Sequence, residues 1–184
     1  NTTYTYNATA AKTITARFKA NQYTVTYKDQ GDGAFSGTHA SSYPTTHTYG
    51  TATTLKTASK TGYTFEGWHT DVACTNKVSS LGATAYTANI TLYAKWTADQ
   101  YDITYKDQGG STFSGAHEDG YPTQHTYGTE TTLKTASKDG YTFDGWFTTS
   151  NCIGSAITSL GATAYTASIT LYAKWTSNEE TKYN

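Results

Sequence analysis

From residue 90 to residue 96 apolar and polar side chains alternate without a break. Ile90, Leu92, Ala94 and Trp96 fall on one face, and Thr91, Tyr93 and Lys95 fall on the other. A period of two predicts a strand with one face buried. The same pattern covers Ile169 to Trp175, and Tyr23-Thr24-Val25-Thr26-Tyr27 alternates in the same way. Asp29 to Gly33 interrupts that strand with the Gly and Asp content of a turn. Phe35 to Tyr49 has no clean period and reads as loop, with room for one short strand or helical turn. Thr51 to Lys56 reads as a second strand with Leu55 as its core residue, and Lys60 to Gly62 as a turn. Tyr63 to Thr70 reads as a third strand. There Tyr63, Phe65 and Gly67 share one parity and Trp68 has the other, so the strand either bulges at Gly67 or shows rings on both faces. Asp71 to Asn76 reads as loop. The fold class expected is mainly β, α+β at most.

Gly62-Tyr63-Thr64-Phe65-Glu66-Gly67-Trp68 returns 78 residues later as Gly140-Tyr141-Thr142-Phe143-Asp144-Gly145-Trp146. Each motif is followed by Ile-Thr-Leu-Tyr-Ala-Lys-Trp. The chain is therefore two tandem copies of one small module, and any function must hold for a repeated object. The expected division is residues 23–97 for the first module, 98–100 for a short linker, 101–176 for the second module and 177–184 for a polar tail. Residues 1–22 hold Ile14-Thr15-Ala16-Arg17-Phe18, which looks like Leu92 to Trp96. They are read as the last strand of a preceding, more divergent copy. The linker lacks the Gly/Ser run of a flexible tether, so strand should pass almost directly into strand. Two modules joined in this way should make an elongated, fairly stiff rod.

Each module is near the lower size limit for a self-sufficient core. The chain has 17 Tyr, 6 Phe and 4 Trp, and no Met. Large rings must therefore supply much of the burial. Charged residues are 15% of the total, net charge is −1, and Arg17 is the sole arginine. That balance gives no field for nucleic acid or an anionic membrane surface. No apolar run reaches the roughly 20 residues that would insert into a bilayer as a helix. Asn1 is not a natural start, so the sequence reads as a piece of something longer. Cys74 and Cys152 occupy equivalent positions, one per module. They are read as free or part-buried thiols, with a bond between them or to another chain as the alternatives.

Tyr-Thr-Val-Thr-Tyr, Tyr-Pro, Tyr-Gly, Leu-Lys, Gly-Tyr-Thr-Phe-x-Gly-Trp and Leu-Tyr-Ala-Lys-Trp follow one another in this order. Together they resemble the Listeria–Bacteroides repeat, the B-repeat type known from internalin B and other large bacterial surface proteins. The resemblance covers about 150 residues in two copies. It implies a small β-grasp-like module, export, and a place in a multi-repeat stalk or adhesin at the cell surface or cell wall. It supplies no catalytic residues and no cofactor. Cys74 and Cys152 depart from the family pattern. So do Thr57-Ala58-Ser59 and Thr135-Ala136-Ser137, where a Pro is expected before the turn.

Chemical candidates are few. His39, His47 and Cys74 recur as His117, His125 and Cys152. Zinc takes about four ligands in close spacing, so these read as exposed or hydrogen-bonded loop histidines and no metal site is assigned. His69 has Phe147 as its counterpart. Asp29 matches Asp107, and Glu66 matches Asp144, but a sheet this small offers no cleft for a carboxylate pair. A nucleophile elbow, a phosphate loop and a Cys-x-x-Cys motif are all missing from the sequence. Asn89-Ile90-Thr91 is a glycosylation sequon that Ser168 removes from the second copy. Tyr43, Tyr49 and Trp68, with Tyr121, Tyr127 and Trp146, could present rings for sugar stacking or protein contact; the competing reading is core packing. Trp96 and Trp175 read as core.

The reading that joins these points is a non-enzymatic spacer of a secreted or surface adhesin, flanked by repeats of its own kind. The alternative is a module that binds a host glycan or surface protein through exposed rings or a free strand edge.

Overall fold

The computed structural model describes residues 15–181, together with Thr5 and Thr13. Four strands frame each module. In the first they are β1 (Gln22–Asp29), β2 (Thr46–Thr48), β3 (Tyr63–His69) and β4 (Ile90–Ala98). In the second they are β5 (Gln100–Asp107), β6 (Gln124–Thr126), β7 (Tyr141–Phe147) and β8 (Ile169–Ser177). Among the described residues there is no α-helix, and the helical turns at Gln30–Asp32, Gln108–Gly110 and Asn178–Thr181 are short 3-10 turns.

The first and last strands of each copy lie side by side in parallel. Val25 pairs with Ile90 and Asp29 with Ala94, as Ile103 pairs with Ile169 and Asp107 with Ala173. On its other side β4 runs antiparallel to β3, and β8 to β7. β4 and β8 thus sit inside their sheets, which is why they carry the cleanest alternation. Ile90, Leu92 and Ala94 are buried, and Trp96 is half buried. The parallel connection is made by loops and two-residue ladders: Thr38–His39 on Ala58–Ser59, and Thr53–Thr54 on Ser80–Leu81. No crossover helix of the usual kind spans it among the described residues. The mainly β class holds.

The parity conflict in the third strand resolves as a bulge. Lys95 faces Gly67 while Trp96 faces Phe65, leaving Glu66 as the extra residue, and the second copy shifts between Phe143 and Gly145. Gly67 and Gly145 have φ of 124° and 121°, a region that glycine tolerates and L-residues rarely adopt. The extra residue puts Phe65 and Trp68 toward the same core, with ring centroids 5.1 Å apart. Elsewhere the strands are shorter than the pattern predicts. Only Thr53–Thr54 of the stretch 51–56 pairs, though Leu55 is buried. The stretch 35–49 holds Thr38–His39 and Thr46–Thr48.

Each module closes its own core. One contains Val25, Leu55, Trp68, Leu81, Ile90 and Leu92; the other contains Ile103, Leu133, Trp146, Leu160, Ile169 and Leu171. Cys74 and Cys152 are free and buried, each in a turn at positive φ with Sγ about 4 Å from a carbonyl of the last strand. At the amino end, residues 15–21 form no strand and Phe18 is 95% exposed. The rest of the predicted strand remnant lies outside the described residues. At the other end Ser177 closes β8, and the polar tail opens with the turn Asn178–Thr181.

Separate cores should melt separately. Leu92→Ala should destabilise the first module by about 2–5 kcal/mol. The second module should stay within ~0.5 kcal/mol of its parent value. Urea denaturation followed by residue-resolved hydrogen exchange distinguishes the two.

Candidate functional site: aromatic stacks and the module joint

A column of rings crosses each module. His39 lies flat between Phe35 and Tyr43, at centroid distances of 4.2 and 3.8 Å. Tyr27 meets this column edge-on, 4.6 Å from His39 and 5.6 Å from Tyr43, and reaches Trp68 at 4.7 Å. The second copy reproduces the column with Phe113, His117, Tyr121, Tyr105 and Trp146, with no centroid distance changed by more than 0.1 Å. The polar ends of Tyr27 and Trp68 are tied down. Tyr27 donates its hydroxyl to the Pro44 carbonyl at 2.6 Å, and burial raises its pKa to about 12. Trp68 donates Nε1–H to the Lys56 carbonyl at 2.6 Å. Trp96 donates to Asp29 Oδ1 at 2.8 Å, and Asp29 Oδ2 accepts the Ser36 amide at 3.2 Å. Asp107 does the same for Trp175 and Ser114. The matching aspartates are thus structural anchors for the indole that closes the core.

The sequence candidates divide into three groups here. Trp68 and Trp146 are 2% exposed, which corrects the reading that they present rings outward: the bulge turns them into the core. Tyr43 and Tyr121 remain 39% exposed and cap their columns. Tyr49 is 40% exposed, but its counterpart Tyr127 is half buried against the other module.

That contact forms the joint. β4 ends at Ala98 and β5 begins at Gln100, so Asp99 alone separates them. Asp99 donates its amide to the Gly62 carbonyl at 2.9 Å and accepts the Tyr127 amide at 3.0 Å. Its Oδ1 accepts the Thr64 hydroxyl at 2.7 Å. Above this residue two Tyr–Gly pairs interlock. The Tyr127 ring lies so close over Gly62 that a Cβ there would overlap it, and Gly62 has φ +74°. A Cβ on Gly128, at φ +85°, would stand 2.8 Å from the Tyr63 hydroxyl. Tyr63 and Tyr127 meet edge to face at 5.6 Å, with Lys60 Nζ 4.3 Å from the Tyr63 ring centroid. Both glycines thus serve twice, as turn formers and as seats for a ring. The sequence motif showed the turn; nothing in it showed the seat, because the ring comes from the other copy.

Other features give less. His47 and His125 are wholly buried, with Nδ1 2.8 Å from Thr53 and Thr131 hydroxyls. Among the described residues no three His, Cys, Asp or Glu side chains gather as a metal site would need. A shallow groove of about 260 Å³ recurs beside Trp68 and Trp146, below the usual size of a small-molecule pocket. Both grooves carry a lysine and a carboxylate, Lys56 with Glu66 and Lys134 with Asp144, but Lys77 lines only the first, where Ala156 stands in the second. No helix among the described residues is long and apolar enough to cross a membrane.

Burial lowers the pKa of His39, His117 and His125, so the fold holds them neutral. Unfolded histidine titrates near 6.5. The unfolded chain then binds more protons below that pH, and stability should fall as pH drops from about 6.5 toward the depressed values. Thermal midpoints measured against pH should decline over that window, and His117→Phe should flatten the decline in the second module.

The comparisons with known proteins follow the repeat. The profile of the Listeria-Bacteroides repeat domain matches residues 23–95 and again 101–174. Two proteins of Evansella cellulosilytica are similar. One, named "Putative membrane protein", is 32% identical over 170 residues, covering 89% of this chain and 24% of that protein. The other, named "Putative Gly-rich membrane protein", is 29% identical over 171 residues, covering 89% of this chain and 17% of its own length. The chain thus spans under a quarter of the curated relatives it matches. No solved structure matches it.

Proposed function

Because this chain belongs to the Listeria–Bacteroides repeat domain family, we propose that it works as a non-catalytic, semi-rigid spacer in a cell-surface adhesin. The observation that carries this reading is the joint. A one-residue link whose amide, carbonyl and carboxylate are all bonded, under two interlocked Tyr–Gly pairs, restricts bending between the modules. Flexible tethers are built from long Gly/Ser runs, and this link is their opposite. A nine-residue strand such as β4 spans roughly 30 Å, so modules fixed in series add reach. The chemistry of the side chains points the same way. Asp29 and Asp107 each anchor one indole, the thiols are buried with raised pKa, and Trp68 and Trp146 face inward. A spacer of this kind belongs outside the cell, at the surface or in the wall. The membrane-protein names of the two relatives agree with such a setting.

Tyr127→Ala should test it. Both modules should keep their folds, with stability changed by about 1 kcal/mol or less for the loss of one edge-to-face pair. Small-angle scattering and residual dipolar couplings should show a single inter-module orientation in the parent and a broad spread in the variant. A broad spread in the parent would defeat the spacer reading.

A second reading rests on Tyr43 and Tyr121, which are exposed at the same place in both modules and backed by stacked rings. Such platforms suit sugar faces or a host protein. A glycan array probed with the parent chain and with Tyr43→Ala/Tyr121→Ala decides it: retention by the parent that the double variant loses supports binding, and background signal from the parent ends it.

A further inference from the structure

The two ends of the chain carry the two unmatched halves of the joint. Tyr127 and Gly128, which pack on the first module, correspond to Tyr49 and Gly50 in that module. Gly62 and Tyr63, which receive them, correspond to Gly140 and Tyr141 in the second. Tyr49 is 40% exposed and Tyr141 is 41% exposed. A Cβ on Gly50 or on Gly140 would meet nothing within 4 Å, while one on Gly62 would run into Tyr127. The joint is thus filled once, in the middle, and one of its two halves stands open in each module.

We propose that the Tyr49–Gly50 face and the Gly140–Tyr141 face are docking surfaces for further modules of this same repeat, seated as the two modules of this chain are seated on each other. This rests on the spacer reading and names the partner of its open faces.

Three observations support a like module as the occupant. First, both open faces hold the conformation of the filled joint. Gly50 and Gly140 keep φ of +89° and +77°, beside +85° and +74° at Gly128 and Gly62. Lys138 Nζ lies 4.4 Å from the Tyr141 ring centroid, as Lys60 lies 4.3 Å from that of Tyr63. Second, the bonds of Asp99 are divided between the ends. Asn21 offers its carbonyl to the Tyr49 amide at 2.9 Å, the half that Asp99 offers to Tyr127. Asn178 donates its amide to the Gly140 carbonyl at 2.9 Å, and its Oδ1 accepts the Thr142 hydroxyl at 2.7 Å, the half that Asp99 makes with Gly62 and Thr64. Third, Phe18 stands three residues before Asn21, as Trp96 stands three before Asp99. Trp96 packs in its module at 5.1 Å from Phe65, whereas Phe18 is 95% exposed. A ring set at the core-closing position, with no core under it among the described residues, fits a preceding module of the same kind. The interface is heterologous, one face giving Tyr–Gly and another receiving it, so it can be repeated from module to module along a chain.

The test is a three-module chain in which residues 100–178 are repeated directly after Asn178, so that Asn178 takes the place of Asp99. Nuclear relaxation should give the third module the rotational correlation time of the second. Ring contacts should appear between Tyr141 and the added copy of Gly128. Tyr141→Ala should leave the parent chain folded with unchanged amide spectra beyond its neighbourhood. In the three-module chain it should shorten the third module's correlation time by about twofold or more, toward that of an independent unit. Independent tumbling of the third module while the first joint stays fixed would overturn the proposal and leave the spacer reading standing. Independent tumbling at both joints would remove the two together. Retained coupling in Tyr141→Ala would also overturn it, since the contact would then lie elsewhere.

Discussion

A module of about 75 residues has too little interior for aliphatic side chains to fill it convincingly, and the structure depends on how that shortage is met. Rings do the filling, and rings need their edges satisfied. Trp68, Trp96 and Tyr27 each bury a large apolar area, and each ends in a donor that would be costly to leave unpaired. The Lys56 carbonyl, the Asp29 carboxylate and the Pro44 carbonyl take these donors. The loops between the long strands are therefore more than connections. They carry two of the three acceptors, at Lys56 and Pro44, which explains why stretches without any hydrophobic period keep the same geometry in both copies.

The same economy operates between modules. A joint made of apolar surface alone would leave a sticky face on any module without a neighbour. Here a single tyrosine at each face and a glycine beside it are enough, because the glycines let the rings approach the backbone closely. Orientation comes from Asp99, which bonds to both modules within one residue. The joint in this chain thus rests on bond placement.

How much of this could be read from the residues alone varies along the chain. The alternation from Ile90 to Trp96 identified a strand and its buried face because that strand is central and paired on both sides. The parity conflict at Gly67 identified a bulge as one of two outcomes, and pairing with β4 selected it. The short ladder at Thr38–His39 left no signal, since two residues cannot display a period, and the strand expected over Thr51 to Lys56 pairs only at Thr53–Thr54. Among the proposed ring sites, Tyr43 and Tyr49 lie at the surface, while Trp68 and Trp146 are in the core. Exposure of a ring depends on the partner strand, and a repeat motif is silent about that.

The amino-acid sequence by itself determined that the chain is two copies of one mainly β module, that rings carry the cores and that the link between copies is short. These are local properties: period, composition and spacing survive without coordinates. Only the tertiary structure decided that the first and last strands of each copy pair in parallel, that the paired aspartates hold indoles, and that Tyr127 of one copy rests on Gly62 of the other. Each of those facts joins residues more than sixty positions apart, or in different modules. Such contacts are set by how the sheet closes over its core, and no stretch of sequence holds both partners.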